Sequence, residues 1–294
     1  MAPELQPECE AKPEKPAPAP APAPAPAELA LAGNGGGFNP KAHRLLIELL
    51  AIGGLLLAVG FSALRGGGAL ASVLTPVVPL SVDHKLGEIA NATLGARDCP
   101  NPAAKTYVEQ IAAPLLEAAR PLPFQVHFRV VDDAAVNAFT LPGGFVVVNR
   151  GLLEAAQSGE EVAGVLGHEI QHAVLRHGTR RMLRDMGGAL ALSLLLGGSD
   201  LQDYAQVGSR LTGLEYDRAE EHEADQQGVA LLLRAQIQPA GLAQFFERLA
   251  KDELHPPELL STHPDPGNRA REIRAAVLSG EARVLPKPSA IRCE

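Results

Sequence analysis

The sequence predicts an α+β domain, mostly helical, with a small β-sheet. Three observations carry this. Two short runs, Phe124 to Val131 (FQVHFRVV) and Phe145 to Val148 (FVVV), are rich in β-formers, and the first alternates. From Gly159 onward the apolar residues recur at helical spacing, punctuated by Gly and Pro. No internal repeat suggests a solenoid or propeller.

Of the 294 residues, the first forty are of another kind. Residues 1–40 are dominated by Pro, Ala and Glu, including the run from Pro16 to Ala27. With almost no large apolar side chains, such a stretch cannot offset the entropy of ordering, and it reads as a disordered or polyproline-like tail. Residues 41–67 read as a transmembrane anchor. Lys41, His43 and Arg44 precede an apolar run from Leu45 to Leu64, interrupted once by Glu48 and ended by Arg65 and glycines. About 20 apolar residues suffice to span a bilayer. A cleaved signal peptide is the rival, since Ala69-Leu70-Ala71 has the small-x-small form. The forty-residue leader is too long for that reading. Lys41 and Arg44 against Arg65 favour a cytoplasmic tail and an external domain, as in a single-pass protein of a bacterial inner membrane with its domain in the periplasm. A second apolar run, Gly187 to Gly198, is short for a span and reads as a core helix, with a loop dipping into the membrane surface as alternative.

Residues 80–294 are long enough for one domain with a sizeable core. Its elements follow in order. Helix signals fill Asn101 to Ala119. The strand of residues 124–131 ends at Asp132 and Asp133, and the second strand is entered through a tight turn at Pro142-Gly143-Gly144. Leu152 to Ala156 is helical. Gly159 and Glu160 open a helix to about His177, closed by Gly178. Further helices cover about Leu201 to Leu233, Leu242 to Lys251 after Pro239, and Asn268 to Leu278.

The formal charge of −8, with no basic run interleaved with aromatics, argues against nucleic acid as a partner. The three cysteines, Cys9, Cys99 and Cys293, lack metal-site spacing. Cys99 and Cys293 bracket the globular part and suit a disulfide in an oxidising compartment, with two unrelated thiols as alternative.

The strongest chemical signal is HExxH at His168 to His172. Residues four apart share a helix face, so both imidazoles can bind one ion. Glu169, beside the first, can act as general base on a zinc-activated water that attacks a carbonyl. A catalytic zinc needs a third protein ligand and an open fourth position. The metzincin pattern would place Gly at 175 and His at 178, where this chain has Leu175 and Gly178. A distant carboxylate is the other solution. Glu220-Glu221-His222-Glu223-Ala224-Asp225 lies downstream on a helical pattern. Spacing alone does not choose among Glu220, Glu221 and Glu223. Without the upstream histidines the cluster would read as a solvated helix face.

At this point four motifs, in order, resemble metallopeptidase family forty-eight, a gluzincin family. They are Asn137 to Gly144 (NAFTLPGG), the HEIQH segment with Val174 to His177, Arg218 to Asp225 (RAEEHEAD), and Thr262-His263-Pro264 with Arg269. The family often has Ser where this chain has Asp217, a position that is no ligand. The resemblance spans about Leu80 to the last helix and implies a zincin-like metalloprotease fold. It implies one zinc per chain, held by His168, His172 and Glu221, with Asp225 hydrogen-bonded to a ligand imidazole. It also implies that Asn137, Ala138, Phe139, Thr140 and Leu141 form the cleft's edge strand. Such an edge can pair with an extended peptide through main-chain hydrogen bonds. His263 and Arg269 would donate to the developing oxyanion. His263 could instead occupy the open zinc position and keep the enzyme latent. His84, His127, His177, His222 and His255 are assigned no role at the site and read as structural.

The expectation is thus a zinc-dependent metalloendopeptidase acting on peptides or unfolded proteins, in envelope protein quality control. The alternative is a chaperone-like or scaffold protein of the same fold with little proteolysis, which the intact Glu169 disfavours. A prenyl-protein processing enzyme is disfavoured by the single anchor, and a non-proteolytic zinc hydrolase by the edge-strand segment.

Overall fold

The computed structural model describes residues 68–185, 216–251, 263, 266–276, 281–288 and 293, with residues 44, 53 and 54. The apolar run 45–64, apart from helical Gly53 and Gly54, and the run 187–198 lie outside the described residues, as does His255. Among those described, no helix is long and apolar enough to cross a membrane.

The order is helix α1 (Gly68–Leu74), a short 3-10 turn (Thr75–Val77), α2 (Leu80–Thr93), α3 (Pro102–Ala118), strand β1 (His127–Val131), β2 (Ala138–Leu141), β3 (Phe145–Asn149) and α4 (Arg150–Ala155). Then come α5 (Gly159–Val174), α6 (177–185), α7 (Arg218–Arg234), α8 (Ala240–Ala250) and α9 (Pro266–Arg274). This is the expected α+β class: a three-stranded sheet among helices. The two helices before Asn101 were not anticipated.

The sheet runs β1-β3-β2, with β1 parallel and β2 antiparallel to β3. Alternation along the strands feeds two cores. Phe128, Val130, Ala138, Val146 and Val148 face a large cluster with α3, α5, α7 and α8. Val131, Leu141 and Val147 face a smaller one with Leu86 and Ala90 of α2 and Met182 and Leu183 of α6. β1 begins at His127 rather than Phe124 because its partner begins at Phe145, opposite His127. The outer edge of β1 is covered: the Cys99 N–H donates to the Val130 carbonyl and the Asp132 N–H to that of Arg97. The turn into β3 uses Gly143 at φ 72° and Gly144 at φ 88°, a region that favours glycine.

Helix α5 is the centre of the molecule. Ser158 caps it, its hydroxyl accepting from the Glu161 N–H at 3.2 Å, and Glu160 and Glu161 sit where the helix dipole favours acid. Nearly every residue from Gly159 to Ala173 is buried. A Cβ at Gly164 would lie 2.5 Å from Leu242 Cβ, so glycine there lets α8 come close.

The helix does not run to His177. It ends at Val174, and Arg176 sits at φ 57°, in the left-handed region. Gly178, expected as its cap, lies inside α6 instead. The Arg176 guanidinium accounts for the break. It bonds both oxygens of the fully buried Asp83 (Nε to Oδ2 2.6 Å, Nη2 to Oδ1 2.9 Å) and the carbonyls of Thr75 (2.8 Å) and Val78 (2.7 Å). Four hydrogen bonds offset the roughly 1–3 kcal/mol cost of that backbone conformation.

The expected helix from Leu201 starts, among described residues, at Arg218. Asp217 is its N-cap, accepting from the Glu220 N–H at 2.8 Å while Glu220 accepts from the Asp217 N–H at 3.1 Å. Asp217 is as good a cap as the Ser it replaces. The last two helices start two residues earlier than expected.

After α9 the chain returns across the body. The Arg283 N–H donates to the Gln236 carbonyl at 2.7 Å, and the Tyr107 hydroxyl donates to the Pro286 carbonyl at 3.0 Å. Cys99 and Cys293 are disulfide-bonded, with Cα atoms 4.8 Å apart and a separation of 194 positions in sequence. Closing a loop of that length restricts the unfolded chain by about 5 kcal/mol in the loop-entropy model. Cys293→Ser is therefore expected to lower stability by several kcal/mol in urea unfolding under oxidising conditions, and an unchanged midpoint would contradict the strap.

Candidate metal centre and cleft

α5 carries His168, Glu169 and His172 into the core, and α7 crosses it carrying Glu221 and Asp225. Gly228 of α7 faces the main chain of His168, where a Cβ would sit 3.4 Å from its Cα. That close approach brings the two helices' polar side chains together.

His168 Nε2 and His172 Nε2 are 2.9 Å apart. Glu221 places Oε1 3.1 Å from His172 Nε2 and Oε2 3.6 Å from His168 Nε2. His263 brings Nδ1 to 2.9 Å from Glu221 Oε1 and 3.4 Å from His168 Nε2. All four side chains are buried, and one ligand atom from each lies within 4.8 Å of the others. Four ligand atoms around a tetrahedral zinc lie about 3.3 Å apart. The close contacts here cluster around that value, and the donor set of imidazole and carboxylate is one zinc accepts. The residues fit the metal.

Glu220 and Glu223 do not join them. Glu220 serves the cap of α7, and Glu223 pairs with His177 and Arg180. The choice that spacing left open thus falls, in space, on Glu221.

The surroundings orient the cluster. His168 Nδ1 is 2.9 Å from Asp225 Oδ1, which directs Nε2 toward the centre. Arg269 is engaged behind the ligands: Nη1 lies 2.5 Å from Glu221 Oε2, and Nε and Nη2 bond Asp225 at 2.6 and 2.8 Å. Its guanidinium also stacks over Phe246 at 4.3 Å. Burial opposes ionisation of Glu221, but His263 and His168 outweigh it and hold the carboxyl well below its usual range. Burial, reinforced by His168, holds His172 well below the ordinary imidazole value, whereas His168, whose burial acts in the same direction, is raised to about 9 by Glu221 and Asp225.

Glu169 lies beside the cluster, between His263 and β2. The Thr140 hydroxyl lies 2.8 Å from its Oε2 and 2.9 Å from its main-chain oxygen, and His263 Nε2 is 3.4 Å from its Oε1. Burial pushes this carboxyl up, against the opposing fields of His263 and His168. A raised carboxyl is the stronger base.

β2 is the edge strand that the sequence leads one to expect. The Asn149 N–H donates to the Asn137 carbonyl, so residues 137, 139 and 141 face β3 with their main-chain groups. Ala138 and Thr140 turn theirs to the outer edge. The edge is not open, however: both residues are buried, and the Tyr216 hydroxyl donates to the Thr140 carbonyl at 3.0 Å. Asn137 is buried with no hydrogen-bond partner for Oδ1 among the described residues.

Two neighbours of the cluster escaped the sequence reading. Tyr216 stacks on His172 at 3.8 Å between ring centres, with Arg181 over its other side at 4.5 Å. His177, read as structural, lies against His172 with both Nδ1 atoms 2.9 Å apart. His222, on the other face of α7, is half exposed and pairs with Glu272, away from the cluster.

A helix bearing two histidines one turn apart, crossed by a second bearing a carboxylate, beside an edge strand, defines a metallopeptidase-type domain. The comparison with known proteins agrees, and the chain belongs to peptidase family M48, whose model matches residues 102–277. The match begins at α3, so α2 lies outside it while packing on the sheet. Relatives include the beta-barrel assembly-enhancing protease of Yersinia pestis, 30% identical over 189 residues, 59% of this chain and 39% of that protein. Others are the mitochondrial metalloendopeptidase OMA1 of Arabidopsis thaliana (37% over 160 residues, 53% and 32%) and the metalloprotease LoiP of Escherichia coli (31% over 156 residues, 51% and 62%). The matched stretch thus covers only about two fifths of the beta-barrel assembly-enhancing protease's own length.

Removing Glu221 takes away the one carboxylate of the four described residues that converge. Glu221→Ala is expected to weaken zinc binding by more than the roughly 100-fold that loss of an outer partner costs. Glu220→Ala is expected to keep one zinc per chain, with only the cap weakened. Metal analysis after dialysis distinguishes them, and the reverse pattern would exclude Glu221 as a ligand.

Proposed function

We propose that this chain is a zinc-dependent endopeptidase, with His168, His172 and Glu221 as ligands and Glu169 as general base. One observation carries the reading: two imidazole nitrogens and a carboxylate converge in the core, with Glu169 positioned by Thr140 beside them. Zinc in such a site supplies Lewis acidity and lowers the pKa of bound water to about 7. Glu169 takes the proton from the attacking water and delivers it toward the leaving amine. The substrate lies extended along β2, pairing with the main chain of Ala138 and meeting Asn137 Oδ1 with a backbone N–H. Phe139 and Leu141, whose main chains face β3, fix that edge in register.

His263 closes the fourth position. It stands among the ligand atoms where a catalytic site keeps an opening, and the edge beside it is buried. We therefore read the described arrangement as a closed form. Opening moves His263 from the ligands, and in the open form its ring can donate to the oxyanion. Arg269, engaged with Glu221 and Asp225, holds the ligand carboxylates.

The Cys99–Cys293 bridge suits an oxidising compartment. With the apolar run 45–64 as anchor, it supports a single-pass protein with its catalytic domain in the periplasm and residues 1–40 as a tail. Relatives named for beta-barrel assembly and as mitochondrial proteases support a role in envelope protein quality control, with misfolded or misassembled proteins as substrates. The chaperone-like alternative leaves the general base without a use.

Glu169→Gln is expected to lower cleavage of casein by at least about 100-fold while one zinc per chain stays bound. Cleavage at the wild-type rate would remove Glu169 as the base. His263→Ala separates its two roles: a closing residue gives higher basal cleavage when removed, and an indispensable oxyanion donor gives lower.

A further inference from the structure

We infer that His177 and Glu223 form the outer support of one metal ligand, acting as positioning residues that set the affinity for zinc. The inference rests on the proposed zinc site and adds to it residues that motif reasoning left aside.

His172 presents Nε2 to the ligand cluster, 3.1 Å from Glu221 Oε1. Its Nδ1 points the other way, 2.9 Å from His177 Nδ1. His177 is fully buried, and its Nε2 is 3.2 Å from Glu223 Oε2, which also takes Arg180 Nη1 at 3.3 Å. These contacts allow one proton arrangement when His172 uses Nε2 as a ligand. The hydrogen on His172 Nδ1 is donated to His177 Nδ1, and the hydrogen on His177 Nε2 is donated to the Glu223 carboxylate. The chain fixes the tautomer and aim of His172 and ends on an ionised group. His168 has the same kind of support in Asp225, through one hydrogen bond rather than two.

The fold is built to make this contact. On an unbroken helix a residue five positions after His172 would lie roughly 140° round the axis. The left-handed Arg176 ends α5 and starts α6 in a new direction, and His177 is the first residue of the new helix. Its ring meets that of His172 edge to face at 4.9 Å. The hydrogen bonds from Arg176 to Asp83, Thr75 and Val78 hold that break, so the segment before the sheet contributes to the position of a metal ligand.

The test is the zinc dissociation constant of the full chain, measured by competition with a chromophoric chelator. His177→Phe keeps a ring of similar size and removes the acceptor, and His177→Gln restores an acceptor. The expected result is a zinc affinity about 10- to 100-fold weaker in His177→Phe, largely recovered in His177→Gln. A folded His177→Phe protein whose dissociation constant is within twofold of wild type overturns the inference. If His177→Phe does not fold, Glu223→Gln decides. Half exposed and outside the core, that position should tolerate the change, and on the order of 10-fold weaker zinc is expected. Unchanged affinity there overturns the inference equally. A wild-type chain that binds no zinc is the failure of the proposed function instead.

Discussion

The structure is organised around a helix that must be both buried and polar. α5 crosses the core with nearly every side chain out of solvent, yet it carries His168, Glu169 and His172. Buried polar groups are tolerated only when partnered. The partners come from all sides: Asp225 and Glu221 from α7, Arg269 from α9, Thr140 from β2, His177 from α6 and His263 from the loop before α9. The packing of each of these elements against α5 therefore has a chemical reason as well as an apolar one.

That view explains the glycines at the crossings. Gly164 admits α8 and Gly228 brings α7 against His168, so the polar side chains of the cluster meet without reaching across a gap. It also explains the N-terminal helices. Through Asp83 and Arg176 they shape the end of α5, and through Leu86 and Ala90 they cover the face of the sheet away from α5. In the sheet, small as it is, residues 97–99 occupy the β1 edge and Tyr216 meets the β2 edge.

Much of this was legible in the sequence. The class, the strands β1 and β3, the buried helix and the pair His168 and His172 follow from hydrophobic periodicity and four-residue spacing, whereas β2 was expected only from the family resemblance. Glu221 does not follow from spacing, since Glu220 and Glu223 are its equals on paper. In the fold it is Glu221 that the crossing of the two helices brings beside both imidazoles, which only tertiary structure supplies. His177 was missed for a related reason: a helix read as continuous puts it on the wrong side, and the break lies in a residue, Arg176, whose side-chain partners are about a hundred positions away. The cover over β2 was equally invisible, because a strand pattern reports which faces are apolar and says nothing of what lies along the edge.

The central claim is that this convergence holds a metal on which peptide hydrolysis depends. Its most direct test is the zinc content of the full chain purified without added metal, paired with casein cleavage before and after a chelator and after zinc is returned. The account predicts about one zinc per chain, cleavage lost with the metal and recovered with it, since each zincin site holds a single ion. Cleavage that persists after the metal is fully removed, or a folded chain that takes up no zinc, would contradict it.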